Sequence, residues 1–313
     1  YCTYQDALDI IPNLAEIFDE PFGDSSAIPT TLVSGMARKD VTVCLSADGG
    51  DEIFAGYNKY TRTLNTLNKL SKVPKNGRKL VGKLMDLAPI YKLPLLKNGE
   101  KIEHFYKIIS ELYRNDELDA AAILKHSTKN ISDGELNEYF TDSFIRSTSA
   151  FDTSSLIDLS NDQINRMLAI DYKTYMCDDI LTKVDRASMS VSLEGREPLL
   201  DHRIVEFAFS LPRNINLLNA KPKGLFIDTL NGTLPSELLR RPKEGFNAPT
   251  SSWMQVLLEK EINNELLGNT TQIIKDTVNT DILEKTLLNK DFLRNTFFIH
   301  IESQTRCATR LRY

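Results

Sequence analysis

Cysteine is scarce in this chain, and so are histidine, tryptophan and any long apolar run. The four cysteines, Cys2, Cys44, Cys177 and Cys307, are scattered with no C-x-x-C pair and no metal-ligand spacing. They fit buried or incidental thiols in a reducing compartment, not a disulfide framework. No apolar run approaches the roughly 18 residues needed to cross a membrane, and no signal peptide opens the chain, so a cytoplasmic protein without a membrane partner is expected. A basic excess is missing too. The net charge of -5 gives no electrostatic footprint for nucleic acid. There is no internal repeat, no low-complexity segment and no G-x-x-x-x-G-K-S/T phosphate loop. With 313 residues, 41% hydrophobic and 26% charged, what remains is an ordinary globular composition, long enough for one large or two ordinary domains.

The densest stretch is Val41 to Tyr60, VTVCLSADGGDEIFAGYNKY. Val41 to Leu45 is β-branched and apolar, as in a strand buried on both faces of a parallel sheet. Ser46-Ala47-Asp48-Gly49-Gly50-Asp51-Glu52 then turns, and Ile53, Phe54 and Tyr57 open a helix predicted to run from Asp51 to about Leu70. Acids placed at the carboxyl end of a parallel strand stand where open α/β sheets bind ligands. Paired glycines allow backbone N-H groups to form an anion-binding concavity, and crowded carboxylates are costly unless a cation shares the site. The plainer alternative is a solvated acidic turn that caps a helix.

Along the rest of the chain, Thr3 and Asp6 suggest a capping box before a helix that Pro12 should kink or break. Asp19 to Thr30 reads as a polar loop leading into a helix from Ile28, with Ser26 as its cap. Ser71 to Ala150 holds short amphipathic pieces and no catalytic motif, and His104 and His126 read as surface or helix-packing residues. A strongly amphipathic helix follows Asp162, and Asp178-Asp179 is predicted to cap a second. Glu194, Arg196 and Asp201, set among apolar residues, suggest a buried polar network, with Asp201 capping the next helix. Lys221 to Leu230 reads as a further helical piece. Lys243 lies between Pro242 and Gly245 on a loop that could deliver its charge to a phosphate.

Two families share letters with this chain. GGDE before an apolar residue resembles the GGDEF signature of diguanylate cyclases, but that signature needs a strand after Glu52. The whole phrase resembles the synthetase domain of glutamine-dependent asparagine synthetases, close to LSGDGGDEIFGGYxRY. The resemblance extends to Asp19 through Thr30 (family DEPFADPSAIPTY), to Asp178 through His202 (family DDILxKVDRASMAxSLExRxPFLDH) and to Leu234 through Pro249 (family LPxxIxxRxKxGFxxP). It implies an ATP-dependent amide ligase that adenylates the aspartate side chain, releases pyrophosphate and lets ammonia, drawn from glutamine, displace AMP to give asparagine. By position it makes Asp51 the Mg²⁺ ligand, Asp48 a base for ammonia or a holder of ammonium, and Lys243 the cation that stabilises charge on the phosphate. Ser46, Gly49 and Gly50 would shape the turn around the acyl-adenylate, with Arg196 a further ligand contact. Ala47, Ala55, Ser25 and Glu197 depart from the family's usual Gly, Gly, Pro and apolar residue.

The family's SGGxDS pyrophosphate loop and its glutaminase domain have no counterpart in this sequence, and Cys2 does not replace the latter's nucleophile. The chain begins at Tyr1 without methionine. A piece of a longer synthetase, inactive alone, is therefore expected. The fold implied is predominantly α with a remnant of an α/β parallel sheet, of the adenine nucleotide α-hydrolase-like, PP-loop synthetase kind. The expected organisation is a partial nucleotide-binding layer over 1–70, a helical connecting region over 71–151 and a helical synthetase part over 152–313. Unpaired strand edges make a homodimer expected. An enzyme of the β-lactam-synthetase or amidotransferase kind acting on another acid, a diguanylate cyclase and an inactive scaffold are the alternatives.

Overall fold

The computed structural model describes residues 4–20, 22–87, 106, 109–116, 118–128, 137–140, 151, 162–212, 222–239, 241, 278–279 and 281–282. Lys243 and the loop around it, Trp253, His104, Thr3, Cys2 and Cys307 lie outside these residues.

Helix α1, Tyr4–Ile10, runs into a 3-10 turn, Ile11–Asn13, and then α2, Leu14–Phe18. Pro12 sits within that turn, where its missing N-H breaks the ladder as the sequence predicts. Helix α3, Ala27–Ala37, lies against α1, and with α2 they bury Ala7, Leu14, Phe18, Ala27 and Ile28. Strand β1, Val43–Leu45, follows, then the four-residue helix α4, Gly50–Ile53, and the longer α5, Asn58–Leu70. Next come α6, Lys75–Leu87, and α7, Ala120–Thr128. Helix α8, Gln163–Lys173, is capped by Asp162, whose carboxylate accepts from the backbone N-H groups of Ile164 and Asn165.

The core lies where α5, α7 and α8 meet. Tyr60, Ala120, Leu124, Ile164, Met167 and Leu168 are all fully enclosed there. A π-helical turn, Tyr175–Leu181, then leads directly into α9, Thr182–Met189, which packs along α3. Strand β2, Glu194–Arg196, pairs with β1 in parallel, Val43 with Glu194 and Leu45 with Arg196. The last described helices are α10, His202–Ser210, α11, Gly224–Thr229, and α12, Ser236–Leu239. The fold is thus mainly helical around a parallel sheet that has two strands among the described residues.

Four expectations are corrected here. The helix predicted from Asp51 to Leu70 is two helices, because Ala55 turns left-handed at φ 52° and the chain reverses through Gly56 before α5. Asp178 and Asp179 do not cap a helix. Thr174, at φ -117° and ψ -85°, ends α8, and both acids fall inside the π-helical turn that comes next. Val41 to Leu45 is not buried on both faces: among the described residues β1 has one neighbour, β2, and Leu45 is 73% exposed. Ser26 holds the N-cap position of α3, but its side chain makes no capping bond there and is used elsewhere.

Ala55 is fully buried in the core, so its strain can be weighed. A left-handed alanine costs about 1–2 kcal/mol. Glycine would relieve that, yet it would lose about 0.8 kcal/mol of buried methyl and about 0.5–1 kcal/mol of chain entropy. Ala55→Gly is therefore expected to change unfolding free energy by less than about 1 kcal/mol in urea denaturation. A gain of about 2 kcal/mol or more would mean that backbone strain dominates the position.

Candidate functional site

Ser46 leaves the end of β1 with its N-H donating to the Arg196 carbonyl at 2.9 Å, so the sheet fixes where the acidic turn begins. The Ser46 hydroxyl donates to Oδ2 of Asp48, and the Asp48 N-H donates back to Ser46 Oγ at 3.2 Å. This closed local loop orients the Asp48 carboxylate. Gly49 has φ 89°, and a side chain there would run into Leu200, so the turn needs glycine on both counts. Gly50 then opens α4, which carries Asp51 and Glu52 in its first turn.

Asp51 and Glu52 turn to opposite fates. Asp51 Oδ1 meets the Lys223 ammonium at 3.0 Å, a partner from a distant segment that the sequence did not point to. Glu52 is buried and accepts from the Tyr57 hydroxyl at 2.5 Å. Burial pushes the Glu52 carboxyl above its ordinary range, and the neighbouring charges of Asp51 and Asp171 add to this against the Tyr57 hydrogen bond. The tyrosine phenol is pushed up in turn, first by burial and then by Glu52.

Behind this turn lies a chain of polar contacts. Tyr60 donates to the buried Asp171 at 2.6 Å, and the Lys59 ammonium reaches the same oxygen at 2.7 Å. Lys59 also lies over the rings of Tyr57, Tyr60 and Tyr175, 4.7 to 5.6 Å from their centroids. Beyond Tyr175, Lys183 is buried, donating to Asp24 Oδ2 at 2.6 Å and to Ser26 Oγ at 2.8 Å. Ser26 donates to the same Asp24 oxygen at 2.6 Å. Burial pushes Asp24 up, but the hydrogen bonds from Lys183 and Ser26 and the Lys183 charge outweigh it, and the carboxyl titrates below its usual range. Asp179 goes the other way. Burial, then the Asp24 charge and a hydrogen bond to Asp24, push it up to about 7 against Lys183 and Lys59. The two carboxyls beside Lys183 are thus driven in opposite directions, Asp24 toward the charged form and Asp179 toward the neutral one.

The buried network expected at Glu194, Arg196 and Asp201 is not there. Arg196 pairs with Glu194 at 2.8 Å with both side chains more than half exposed, and Asp201 pairs with Arg203 at 2.8 Å on the surface. Each is a contact two residues apart, made locally because β2 is short and α10 begins at once. Asp201 does cap α10, accepting from the Arg203 N-H at 2.9 Å. Its carboxyl is held well below the usual range by those Arg203 bonds. Arg196 meets the turn through its carbonyl, and its guanidinium pairs with Glu194. Glu197, where the family prefers an apolar residue, feels the Asp48 charge: burial and then Asp48 raise its carboxyl.

The described residues contain no cluster of three or more side chains able to cage a metal ion. Mg²⁺ does not require one, since it is often held by one or two carboxylates together with substrate phosphates and water. Asp51, a part-buried carboxylate paired with Lys223, would be the residue to hold the ion in that single-carboxylate pattern.

An acidic turn at the carboxyl end of a parallel strand, with helices around it, has the form of an α/β ligand-binding layer, and the sequence comparisons give it a family. The asparagine synthase family model matches residues 1–305, and the chain belongs to that family, whose members carry a PP-loop synthetase domain. Among curated proteins it is similar to asparagine synthetase (glutamine-hydrolysing) 1 of Bacillus subtilis, 30% identical over 88% of this chain and 42% of the relative. It is also similar to a Mycobacterium tuberculosis protein provisionally named as a glutamine-hydrolysing asparagine synthetase, 29% identical over 78% of this chain and 35% of the relative. The Cricetulus griseus asparagine synthetase is 33% identical over 30% of this chain and 18% of the relative. The chain thus spans less than half the length of these relatives. The diguanylate cyclase alternative fails twice: the family differs, and helix α4 stands where a strand would be needed.

Proposed function

We propose that this chain forms part of the synthetase site of an ATP-dependent ligase that makes asparagine from aspartate. The observation that carries this reading is the family match over 1–305 joined to an acidic turn at the end of a parallel strand, in which Ser46 holds Asp48 and Asp51 follows in the first turn of α4. An oxygen of the aspartate side chain attacks the α-phosphorus of ATP, forming a C-O-P linkage as the bond to pyrophosphate breaks. Ammonia then attacks the carboxyl carbon, the bond to AMP breaks, and nitrogen loses a proton. Asp48, held by Ser46, is placed to take that proton or to hold ammonium before attack. Mg²⁺, when bound by Asp51 and the phosphates, supplies charge neutralisation at the leaving pyrophosphate. Lys243 is assigned the stabilisation of charge on the transferring phosphate, and Gly49 and Gly50 the shape of the turn. Arg196 fixes the turn through its backbone carbonyl, and its exposed guanidinium is assigned a further contact to the ligand.

The test is aspartate-dependent exchange of labelled pyrophosphate into ATP by the polypeptide that carries this chain. Exchange is expected only with aspartate, and Asp51→Asn is expected to lower it at least about tenfold. Exchange driven by a different acid, and not by aspartate, would transfer the chemistry to another substrate.

A further inference from the structure

Resting on the reading of Asp51 as a metal ligand, we infer that Lys223 is a resident counter-cation that holds the Asp51 carboxylate and competes with a divalent metal ion for it. The pair is built into the fold. Lys223 Nζ is 3.0 Å from Asp51 Oδ1, and the two side chains are only 29% and 21% exposed. Lys223 stands at the N-cap of α11 with φ 53°, a left-handed conformation that a non-glycine residue adopts only when its surroundings impose it. They do: Phe226, three residues on, stacks on Phe54 at 5.5 Å and ties α11 to the end of α4.

Glycine backbone clears the space for the ion pair from two sides. A side-chain carbon at Gly56 would collide with Asp51 Oδ1 and come within 2.6 Å of Lys223 Cε, and one at Gly50 would lie 3.6 Å from Lys223 Nζ. The Gly56 N-H also donates to the Asp51 carbonyl at 2.8 Å, which pins the residue from the backbone side.

A carboxylate oxygen coordinating Mg²⁺ or Mn²⁺ sits about 2.0–2.2 Å from the metal. An ammonium 3.0 Å from the same oxygen would then face a double positive charge across a short gap, so the two cations cannot share it at full strength. Lys223 thus spares Asp51 an uncompensated charge next to Glu52 in the metal-free chain and sets a threshold that the metal must overcome.

The experiment is Mn²⁺ binding to the whole chain, measured by electron paramagnetic resonance without nucleotide, with folding of each variant checked by circular dichroism. Lys223→Gln is expected to bind Mn²⁺ at least about tenfold more tightly than wild type. Lys223→Arg, which keeps the charge, is expected to stay at the wild-type affinity. Adding Asp51→Asn to Lys223→Gln is expected to remove the gain. Equal affinity in wild type and Lys223→Gln, including no measurable binding by either, would overturn the inference, as would a gain that survives Asp51→Asn or appears equally in Lys223→Arg. Exchange lost in Asp51→Asn with unchanged Mn²⁺ affinity in Lys223→Gln would sink this inference and leave the functional reading standing. Tightened Mn²⁺ binding without aspartate-dependent exchange would do the reverse.

Discussion

Lys183→Met is expected to destabilise the chain by about 3 kcal/mol at neutral pH, the low end of what removing one partner of a buried ion pair costs. Lys183 is 8% exposed and donates to both Asp24 and Ser26, so its loss strands a carboxylate and a hydroxyl at once. It also removes one of the two cations that oppose the charge crowding around Asp179. Methionine retains most of the apolar stem, which keeps the loss electrostatic and not one of packing. Urea denaturation read by circular dichroism measures the effect. The double variant Lys183→Met/Asp24→Asn, which takes away the stranded charge, is expected to recover most of it. A single-variant loss below about 1 kcal/mol, or no recovery in the double, would show that the contact between the 24–26 loop and α9 is held by packing alone.

Asp179→Asn is expected to do the opposite and stabilise the chain at pH 8. The carboxyl is raised to about 7, so between the unfolded value, near 3.9, and 7 the folded chain holds a proton that the unfolded chain has released. Stability from this group is therefore complete below about pH 4 and is lost as pH rises through 7. A shift of about three units sets an upper bound of about 4 kcal/mol, and partial solvent access and coupling to Asp24 reduce it to about 2 kcal/mol. Asparagine imitates the protonated acid at every pH. It should match wild type near pH 4 and exceed it by about 2 kcal/mol at pH 8. Asp24 adds the reverse dependence at lower pH: its depressed carboxyl contributes stability that is present above its unfolded value and lost as pH falls. Parallel stability curves for wild type and Asp179→Asn from about pH 4 to 8 would refute the raised Asp179 carboxyl.

These two positions also show where sequence reasoning stops. Pro12, Asp162 and Asp201 act on bonds within a turn of themselves, and their effects were legible from local spacing. The strand at Val43 and its parallel pairing were legible as an apolar run ending in a glycine turn. Asp24 and Lys183 are 159 residues apart, and Asp51 and Lys223 are no closer to being local partners. No periodicity encodes such pairs, because each half alone looks like a loop acid or a helix-surface lysine. The misplaced network makes the same point from the other side. Glu194, Arg196 and Asp201 have apolar neighbours in sequence, but short elements let each side chain fold back to a charge two residues away instead of meeting across the fold. Within the turn, Ser46, Asp48, Gly49, Gly50 and Asp51 stand out as candidates in the sequence because they fall within six consecutive residues.

The π-helical turn at Tyr175–Leu181 fixes the angular phase of α9. A π turn is in effect one residue more than an α-helix of the same rise would hold, and each residue of an α-helix advances its side chains by about 100°. Losing a single residue there would let the segment relax to an ordinary helix of about the same rise and phase, so Lys183 would stay on the face that meets Asp24. The turn thus holds one residue that the register of α9 does not need. A further residue inserted into α9 between Thr182 and Lys183 would instead swing Lys183 by about 100° away from Asp24.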